Sequence, residues 1–180
     1  MTTYFKFLKP GGIGPYSGFA WPVPNGKPGA WVKATGDLEV CHNGVHATTI
    51  EHLLDWARDE LYVIELGGKI VASANKVVAR KGRLLHRVEA WSPEFLSRFA
   101  AECVWRACRY AIRALRKAGY DKEADRLQAA VKAKDLDAAR DAACAARAAW
   151  DAWAAARDAA GAKERTWQQN YLIKHLRVKV

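Results

Sequence analysis

WVKATGDLEVCHNGVHATTIEHLLDWARDELYVIEL, residues 31–66, is the stretch that decides the fold of this 180-residue chain. It begins with an extended run, passes through the compact turn CHNGVH and ends in LYVIEL, an apolar run typical of a β-strand. Between the turn and LYVIEL, Thr48 or Thr49 can cap a short helix. On one face of that helix lie Ile50, Leu53, Leu54 and Ala57. Strand, turn, helix and strand in one segment indicate an α+β domain.

Further short strands are predicted on both sides of this stretch. Tyr4 to Leu8 is the first, and Leu84 to Trp91 is the last. Leu38 to Cys41 is expected to be extended before the turn. The pair Gly67-Gly68 tolerates positive φ, so it predicts a hairpin turn between LYVIEL and a strand from Lys69 to Ser73. Together these runs predict a twisted, mostly antiparallel sheet with one short helix.

From Ser92 onward the apolar period changes from two residues to about 3.6. Ser92 suits the N-cap, Pro93 suits the first helical position, and Gly119 ends the helix. A shorter helix is expected from Asp121 to Lys132. The apolar stripe of the first helix consists of Phe95, Phe99, Val104, Cys108, Ala111, Ile112 and Leu115. This stripe predicts a long amphipathic helix that packs against its neighbours.

Residues 136–160 are rich in alanine, the strongest helix former, and they repeat the sequence AARDAA. They predict one long helix that Gly161 breaks, followed by a final helix from Glu164 to Leu176. Trp150 and Trp153 lie in the Ala-rich segment. We expect Trp105, Trp150, Trp153 and Trp167 to bury apolar area between helices, with an aromatic surface for nucleic acid as the alternative.

The chain is expected to divide into an α+β domain over residues 1–92 and an Ala-rich helical region over residues 93–180. The first part holds 11 Lys and Arg against 8 Asp and Glu, a net charge of +3. The second part holds 18 against 11, a net charge of +7. The total of +10 favours phosphates or acidic protein surfaces as partners.

The pattern along the chain is typical of a cytoplasmic protein. The opening MTTYFKFLKP has no uninterrupted apolar stretch and no small-residue cleavage site. No segment has about eighteen consecutive apolar residues without charge. Four scattered cysteines with no CxxC pair favour reduced thiols over a disulfide framework. We therefore expect a reducing compartment and no membrane partner.

Five arginines of the first long helix form a candidate partner-binding surface. Because the apolar stripe is expected to be buried, these arginines should project outward. Arginine is enriched at protein interfaces, where its planar guanidinium pairs bidentately with carboxylates. The five are Arg98, Arg106, Arg109, Arg113 and Arg116. They predict a host or phage protein with an acidic surface as the partner.

The turn CHNGVH is a second candidate site, centred on Cys41, Gly44 and His46. Cys and His are zinc ligands, yet no second ligand pair follows downstream. A Cys-His hydrolase would need a base beside Cys41, and His42 would point to the opposite face of a strand. We predict no metal, no cofactor and no catalytic residue here. The preferred interpretation is a structural turn in which His46 binds backbone groups.

A W…G.L..C..G.H pattern runs through the central stretch, and its members are Trp31, Gly36, Leu38, Cys41, Gly44 and His46. With LYVIEL and with KVVAR at Lys76 to Arg80, the pattern resembles an uncharacterised domain family of phage and bacterial genomes. The Ala/Trp/Arg/Asp-rich helices ending in ERTWQQNYL are similar to tails attached to phage-encoded proteins. The resemblance implies a phage or prophage origin and assigns no activity.

GVHATT, a helix and LYVIEL are together similar to the middle of ADP-ribosyltransferase-like domains, including the RNA 2′-phosphotransferases. In those families a comparable strand-helix-strand unit borders the NAD pocket, and the first core strand usually carries a His or Arg. Tyr4 to Leu8 carries neither. The similarity implies an NAD-binding enzyme as an alternative function.

The chain contains no complete catalytic constellation, so the leading hypothesis is a non-enzymatic accessory protein of phage type. It would bind and modulate a host macromolecular complex, such as a defence complex in the manner of an anti-CRISPR protein, or a nucleic-acid-handling complex. Direct binding of nucleic acid is a further alternative, since the helical half carries most of the positive charge.

Overall fold

The computed structural model describes residues 2–145 and 150–178. The strands are β1 (Tyr4–Leu8), β2 (Val32–Lys33), β3 (Val45–Ala47), β4 (Glu60–Ala72) and β5 (Val77–Arg87), with a 3₁₀ helix (Ile50–Trp56) after β3. The helices are α1 (Pro93–Lys117), α2 (Asp121–Ala133), α3 (Leu136–Ala145) and α4 (Trp150–Leu176). This antiparallel sheet with helices after it confirms the α+β fold class. The side chains of Trp150 and Trp153 lie outside the described residues.

The chain forms two compact units. One unit comprises Met1–Ser92 together with Gln169–Val180, and it contains the sheet. The other comprises Pro93–Gln168, and it contains α1, α2, α3 and the first part of α4.

The sheet has the strand order β1-β4-β5-β2, and β3 also pairs with β5. Thr48, which directly follows β3, forms an isolated bridge with Phe5 of β1. The two residues exchange backbone hydrogen bonds of 2.8 and 2.9 Å, so the end of β3 lies beside β1. One core cluster of this unit consists of Leu8, Trp21, Val45, Ala47, Tyr62, Ile64, Val77 and Leu84. The core of the sheet thus receives apolar side chains from β1, β3, β4 and β5.

The hairpin turn expected at Gly67-Gly68 is wrong, because β4 continues through both glycines to Ala72. The register with β5 shifts between Gly67 and Ile70, and Gly68 has a φ of 73°. The glycines therefore form a bulge inside one long strand. The chain reverses only after Ala72, where the Ser73 N–H donates to the Lys76 carbonyl at 2.8 Å.

The prediction that Leu38 to Cys41 is extended is wrong, because the chain turns at Val40 to His42, between Glu39 and Asn43, which form an isolated bridge. The Glu39 carbonyl accepts hydrogen bonds from the N–H groups of His42 and Asn43, at 3.2 and 2.9 Å. The Asn43 side chain donates to the carbonyls of Thr35 and Asp37, at 2.5 and 2.7 Å. Because local groups satisfy this backbone, the segment needs no neighbouring strand.

Helix α1 begins at Pro93, as predicted, and Gly119 follows its end with a φ of 81°. Most of the predicted stripe is buried, but Val104 is 40% exposed. Trp105 is buried in its place. The reason is that α1 packs on two sides, with Trp105 and Ile112 in a cluster with α2, and Phe99 stacked on Trp167 of α4 at 6.2 Å.

Helix α4 is continuous from Trp150 to Leu176, so the break predicted at Gly161 and the separate helix from Glu164 are wrong. A glycine inside a helix costs only about 1 kcal/mol relative to alanine, and the flanking alanines offset that cost. The single helix predicted for residues 136–160 crosses residues 146–149, which lie outside the described residues. Among the helices that the structure describes, none has the length and apolar character needed to cross a membrane.

Candidate functional site

The turn around Cys41 is held by the imidazole of His46. The Cys41 N–H donates to His46 Nε2 at 3.0 Å, and His46 Nδ1 lies 3.0 Å from the Gly44 carbonyl oxygen. Both contacts form when Nδ1 carries the proton and Nε2 accepts, which is the neutral imidazole. Burial lowers the pKa of His46, and the nearby ammonium groups of Lys6 and Lys76 lower it further, which favours the same neutral form. His46 thus binds backbone groups, the arrangement that the turn interpretation predicts.

Gly44 is required at this turn by sterics and by its backbone conformation. Its φ is 136°, a value that residues with a side chain rarely adopt. A Cβ atom at this position would lie 2.1 Å from Val78 Cγ1 and 3.2 Å from Leu38 Cδ2. The Asn43-Gly44 pair therefore lets the chain pass directly over buried Val78 on β5.

The Cys41 thiol and the His46 imidazole do not form a catalytic pair. The exposed Cys41 Sγ accepts a hydrogen bond from Lys76 Nζ at 2.8 Å, whereas His46 Nε2 is occupied by the Cys41 backbone. His42 lies at the surface, 3.4 Å from Glu39. Within residues 2–145 and 150–178, no three His, Cys, Asp or Glu side chains come together as metal ligands.

Arg106, one of the five arginines of the predicted surface, makes its contacts within the helical unit. Its Nε and Nη2 donate to Glu164 at 2.8 and 2.7 Å, and its guanidinium lies 4.2 Å from the centroid of the Trp167 ring. The Tyr110 hydroxyl also donates to Glu164, at 2.7 Å. Hydrogen bonding to Glu164 raises the pKa of Arg106, and hydrogen bonding to Arg106 lowers the pKa of Glu164. Arg106 therefore fastens α4 to α1 and does not project freely.

Arg116 is exposed but partly engaged. Its Nη2 donates to Asp125 and to Gln128 of α2, both at 3.2 Å. An ion pair at this exposure contributes at most about 1 kcal/mol, so the guanidinium remains available to other anions.

The remaining three arginines, Arg98, Arg109 and Arg113, form what we call the arginine face of α1. All three are exposed, and none has a carboxylate within ion-pair distance among the residues described. At about 100° per residue, the three positions lie within about 60° of one another around the helix axis. Arg113 also lies over the Tyr110 ring, 5.8 Å from its centroid. The structure thus narrows the five predicted arginines to three that share one side of the helix and make no ion pair among the described residues.

Sequence reasoning missed a half-buried lysine on the first strand. Lys6 Nζ donates to the His46 carbonyl at 2.9 Å and lies 4.5 Å from the centroid of the Trp21 ring. Burial lowers the pKa of Lys6 to about 8. A lysine on a short strand is ordinarily solvated, so nothing in YFKFL indicates that this amine is enclosed.

Comparison with protein-family models, with curated proteins and with solved structures finds no match to this chain. The resemblance to a phage and bacterial domain family and the similarity to ADP-ribosyltransferase-like domains therefore stay predictions. The NAD alternative would be supported by a rise in melting temperature with millimolar NAD, since a ligand of the folded state stabilises it by mass action.

Proposed function

We propose that this protein is an accessory binding protein of phage type that acts on a host complex through a protein with an acidic surface. The arginine face of α1, formed by Arg98, Arg109 and Arg113, is the docking surface. No cofactor or catalytic residue takes part.

The observation that carries this proposal is that some arginines of α1 bind carboxylates of the same chain whereas others do not. Arg106 binds Glu164, and Arg116 contacts Asp125. Arg98, Arg109 and Arg113 are exposed and make no ion pair within the described part of the chain. Arg109 and Arg113, four residues apart, repel each other along the helix, and no ion pair among the described residues offsets that repulsion. A carboxylate-rich partner would pair with them bidentately and bury their planar groups at low entropic cost.

Host modulation is supported by the sequence resemblance and by the overall charge. The W…G.L..C..G.H pattern resembles a domain family of phage genomes, and the net charge of +10 accelerates encounter with acidic surfaces.

The experiment is affinity capture from a lysate of the bacterial host, followed by calorimetry of the captured partner with charge-reversal variants. Arg109→Glu with Arg113→Glu should reduce affinity at least tenfold, since two exposed cations four residues apart become anions facing a carboxylate-rich surface. The matched control is Lys122→Glu with Arg126→Glu on α2, which are also exposed and four residues apart.

Both double variants should remain folded, because exposed charge changes move stability by less than about 0.5 kcal/mol. If the two pairs weaken binding equally, the attraction is a general effect of net charge. If the α1 variant binds like the unmodified protein, the proposed docking surface is wrong.

A further inference from the structure

Two lysines face each other on the outer side of the sheet. In the register of β2 with β5, Lys33 lies directly opposite Lys81. Like charges at directly opposed positions destabilise an antiparallel pair. Neither ammonium group has a carboxylate within ion-pair distance in the portion of the chain that the structure describes. The folded state therefore contains a pair of like charges, Lys33 and Lys81, that repel each other and that no ion pair among the described residues neutralises.

The indole of Trp31 lies next to this pair. Its ring centroid is 4.5 Å from Lys81 Nζ and 4.8 Å from the guanidinium carbon of Arg83. Lys81 and Arg83 are two residues apart on β5, so both project from the same face of the sheet, and Trp31 lies over that face. Trp31 is only half-buried, which leaves part of the ring open to solvent.

Gly67 makes room for the arrangement. It is the register partner of Lys81 on β4. A Cβ atom at Gly67 would lie 2.7 Å from Lys81 Cε and 3.5 Å from Trp31 Cη2. The absence of a side chain allows the Lys81 stem to lie flat against the sheet, with its ammonium group beside the indole.

The charge of this surface is positive overall. Glu65 neutralises Arg83 through a contact of 2.7 Å, which leaves the charges of Lys33 and Lys81 in excess. The neighbouring Arg80 donates to the carbonyls of Ala34 and Gly36 and fixes the segment that follows β2. A half-buried aromatic ring thus lies beside cations on the strand face.

We propose that this surface, formed by Trp31, Lys33, Lys81 and Arg83, binds single-stranded nucleic acid. A base stacks on the open part of the Trp31 ring, and the adjoining phosphates pair with Lys33 and Lys81. The site shares no residue with the arginine face of α1 and does not depend on the function proposed for it. An acidic peptide would use the lysines but would gain nothing from the indole. In a duplex the bases are already stacked on one another and cannot reach the ring.

The test measures fluorescence anisotropy of a fluorescein-labelled oligothymidylate with the full-length chain at low salt. Trp31→Leu, which keeps apolar bulk but removes the ring, should weaken binding about tenfold, and Trp31→Phe should retain most of the affinity. Lys33→Gln with Lys81→Gln should reduce the slope of log K against log salt by about 1.4, since single strands contribute about 0.7 per phosphate contact.

Two controls separate this site from the rest of the positive charge. Lys122→Gln with Arg126→Gln removes the same charge from α2 and should leave the affinity within about twofold. Arg109→Glu with Arg113→Glu should also keep oligonucleotide binding. The docking proposal for the arginine face and the nucleic-acid proposal can therefore fail independently of each other.

Equal binding by Trp31→Leu and the unmodified protein would overturn the proposal. Equal competition by polyglutamate, or by a duplex of the same length, would overturn it as well. If Trp31→Leu proves unfolded by circular dichroism, the lysine variants decide, because an unchanged salt slope contradicts the assigned phosphate contacts.

Discussion

Arg106 and Glu164 form a two-point ion pair that joins α1 to α4 inside the helical unit, with N–O distances of 2.8 and 2.7 Å. The pair lies against the Trp167 ring, and the Tyr110 hydroxyl donates to the same carboxylate. Arg106 and Glu164 are 58 residues apart in the chain, and their contact fixes the position of α4 on α1 within this unit.

Glu164→Gln is expected to lower the free energy of unfolding by about 1 kcal/mol at neutral pH, since the pair is bidentate but partly solvated. The pKa of Glu164 is held below its usual range, so its contribution is present above the unfolded pKa of about 4.3. It is lost as pH falls through the folded pKa. Urea unfolding at pH 7 and at pH 3 checks both statements. Asp59→Asn, which removes an exposed carboxylate, is the control, and an equal loss in both variants would contradict the expectation.

Gly44→Ala should destabilise the fold by about 3 kcal/mol or more, because its Cβ would overlap buried Val78 and because its φ is 136°. Gly26→Ala is the matched control. Gly26 has a φ of 67°, and a Cβ there would meet nothing within 4 Å, so only the backbone strain of about 1 kcal/mol remains. Thermal or urea unfolding measures the difference. Similar costs at the two positions would mean that the turn can move away from β5.

Lys6→Met should change how stability depends on pH. The pKa of Lys6 is lowered to about 8 in the folded state, so between pH 8 and its unfolded value of about 10.4 the unfolded chain holds more protons. The charged amine therefore opposes folding at pH 7, and that penalty fades as pH rises. Relative to Lys6→Met, the unmodified protein should gain about 2 kcal/mol between pH 7 and 9.5. Lys27→Met, at an exposed lysine, should show no such gain. A pH-independent difference for Lys6→Met would show that its amine is hydrated.

Lys33→Gln should raise stability by about 0.5 kcal/mol at low ionic strength, because it removes the like charge opposite Lys81. The gain should disappear near 1 M salt, where the screening length is about 3 Å. Denaturant midpoints at the two salt concentrations measure it, with Lys69→Gln on β4 as the control. A loss of stability at low salt would show that Lys33 makes a favourable contact within the folded chain.

The sequence predicts elements that depend on local signals. Ser92-Pro93 and Gly119 bound α1 because capping chemistry is decided within one turn of helix. A glycine alone carries less information, since positive φ serves a bulge as well as a turn. Gly68 lies in a bulge of β4, and Gly161 lies inside α4, although both are expected to interrupt their segments.

The candidate sites are harder to predict because their partners are distant in the chain. Nothing in the sequence distinguishes Arg106 from Arg109 as an ion-pair partner, yet only Arg106 binds Glu164. Lys33 and Lys81 are ordinary surface lysines until the β2–β5 register places them opposite each other. The net positive charge indicates an anionic partner. Only the folded structure shows which Lys and Arg side chains make internal contacts and which are available to that partner.

The bridge between Phe5 and Thr48 also protects the sheet from other chains. An edge strand with free N–H and C=O groups is a template for strand addition and aggregation. Here β1 pairs with β4 on one side, and on the other side Phe5 exchanges both of its backbone hydrogen bonds with Thr48. The edge strand β2 has only two residues, one of them a lysine. At β1 and β2 the sheet therefore offers a second molecule little continuous edge on which to grow a fibril.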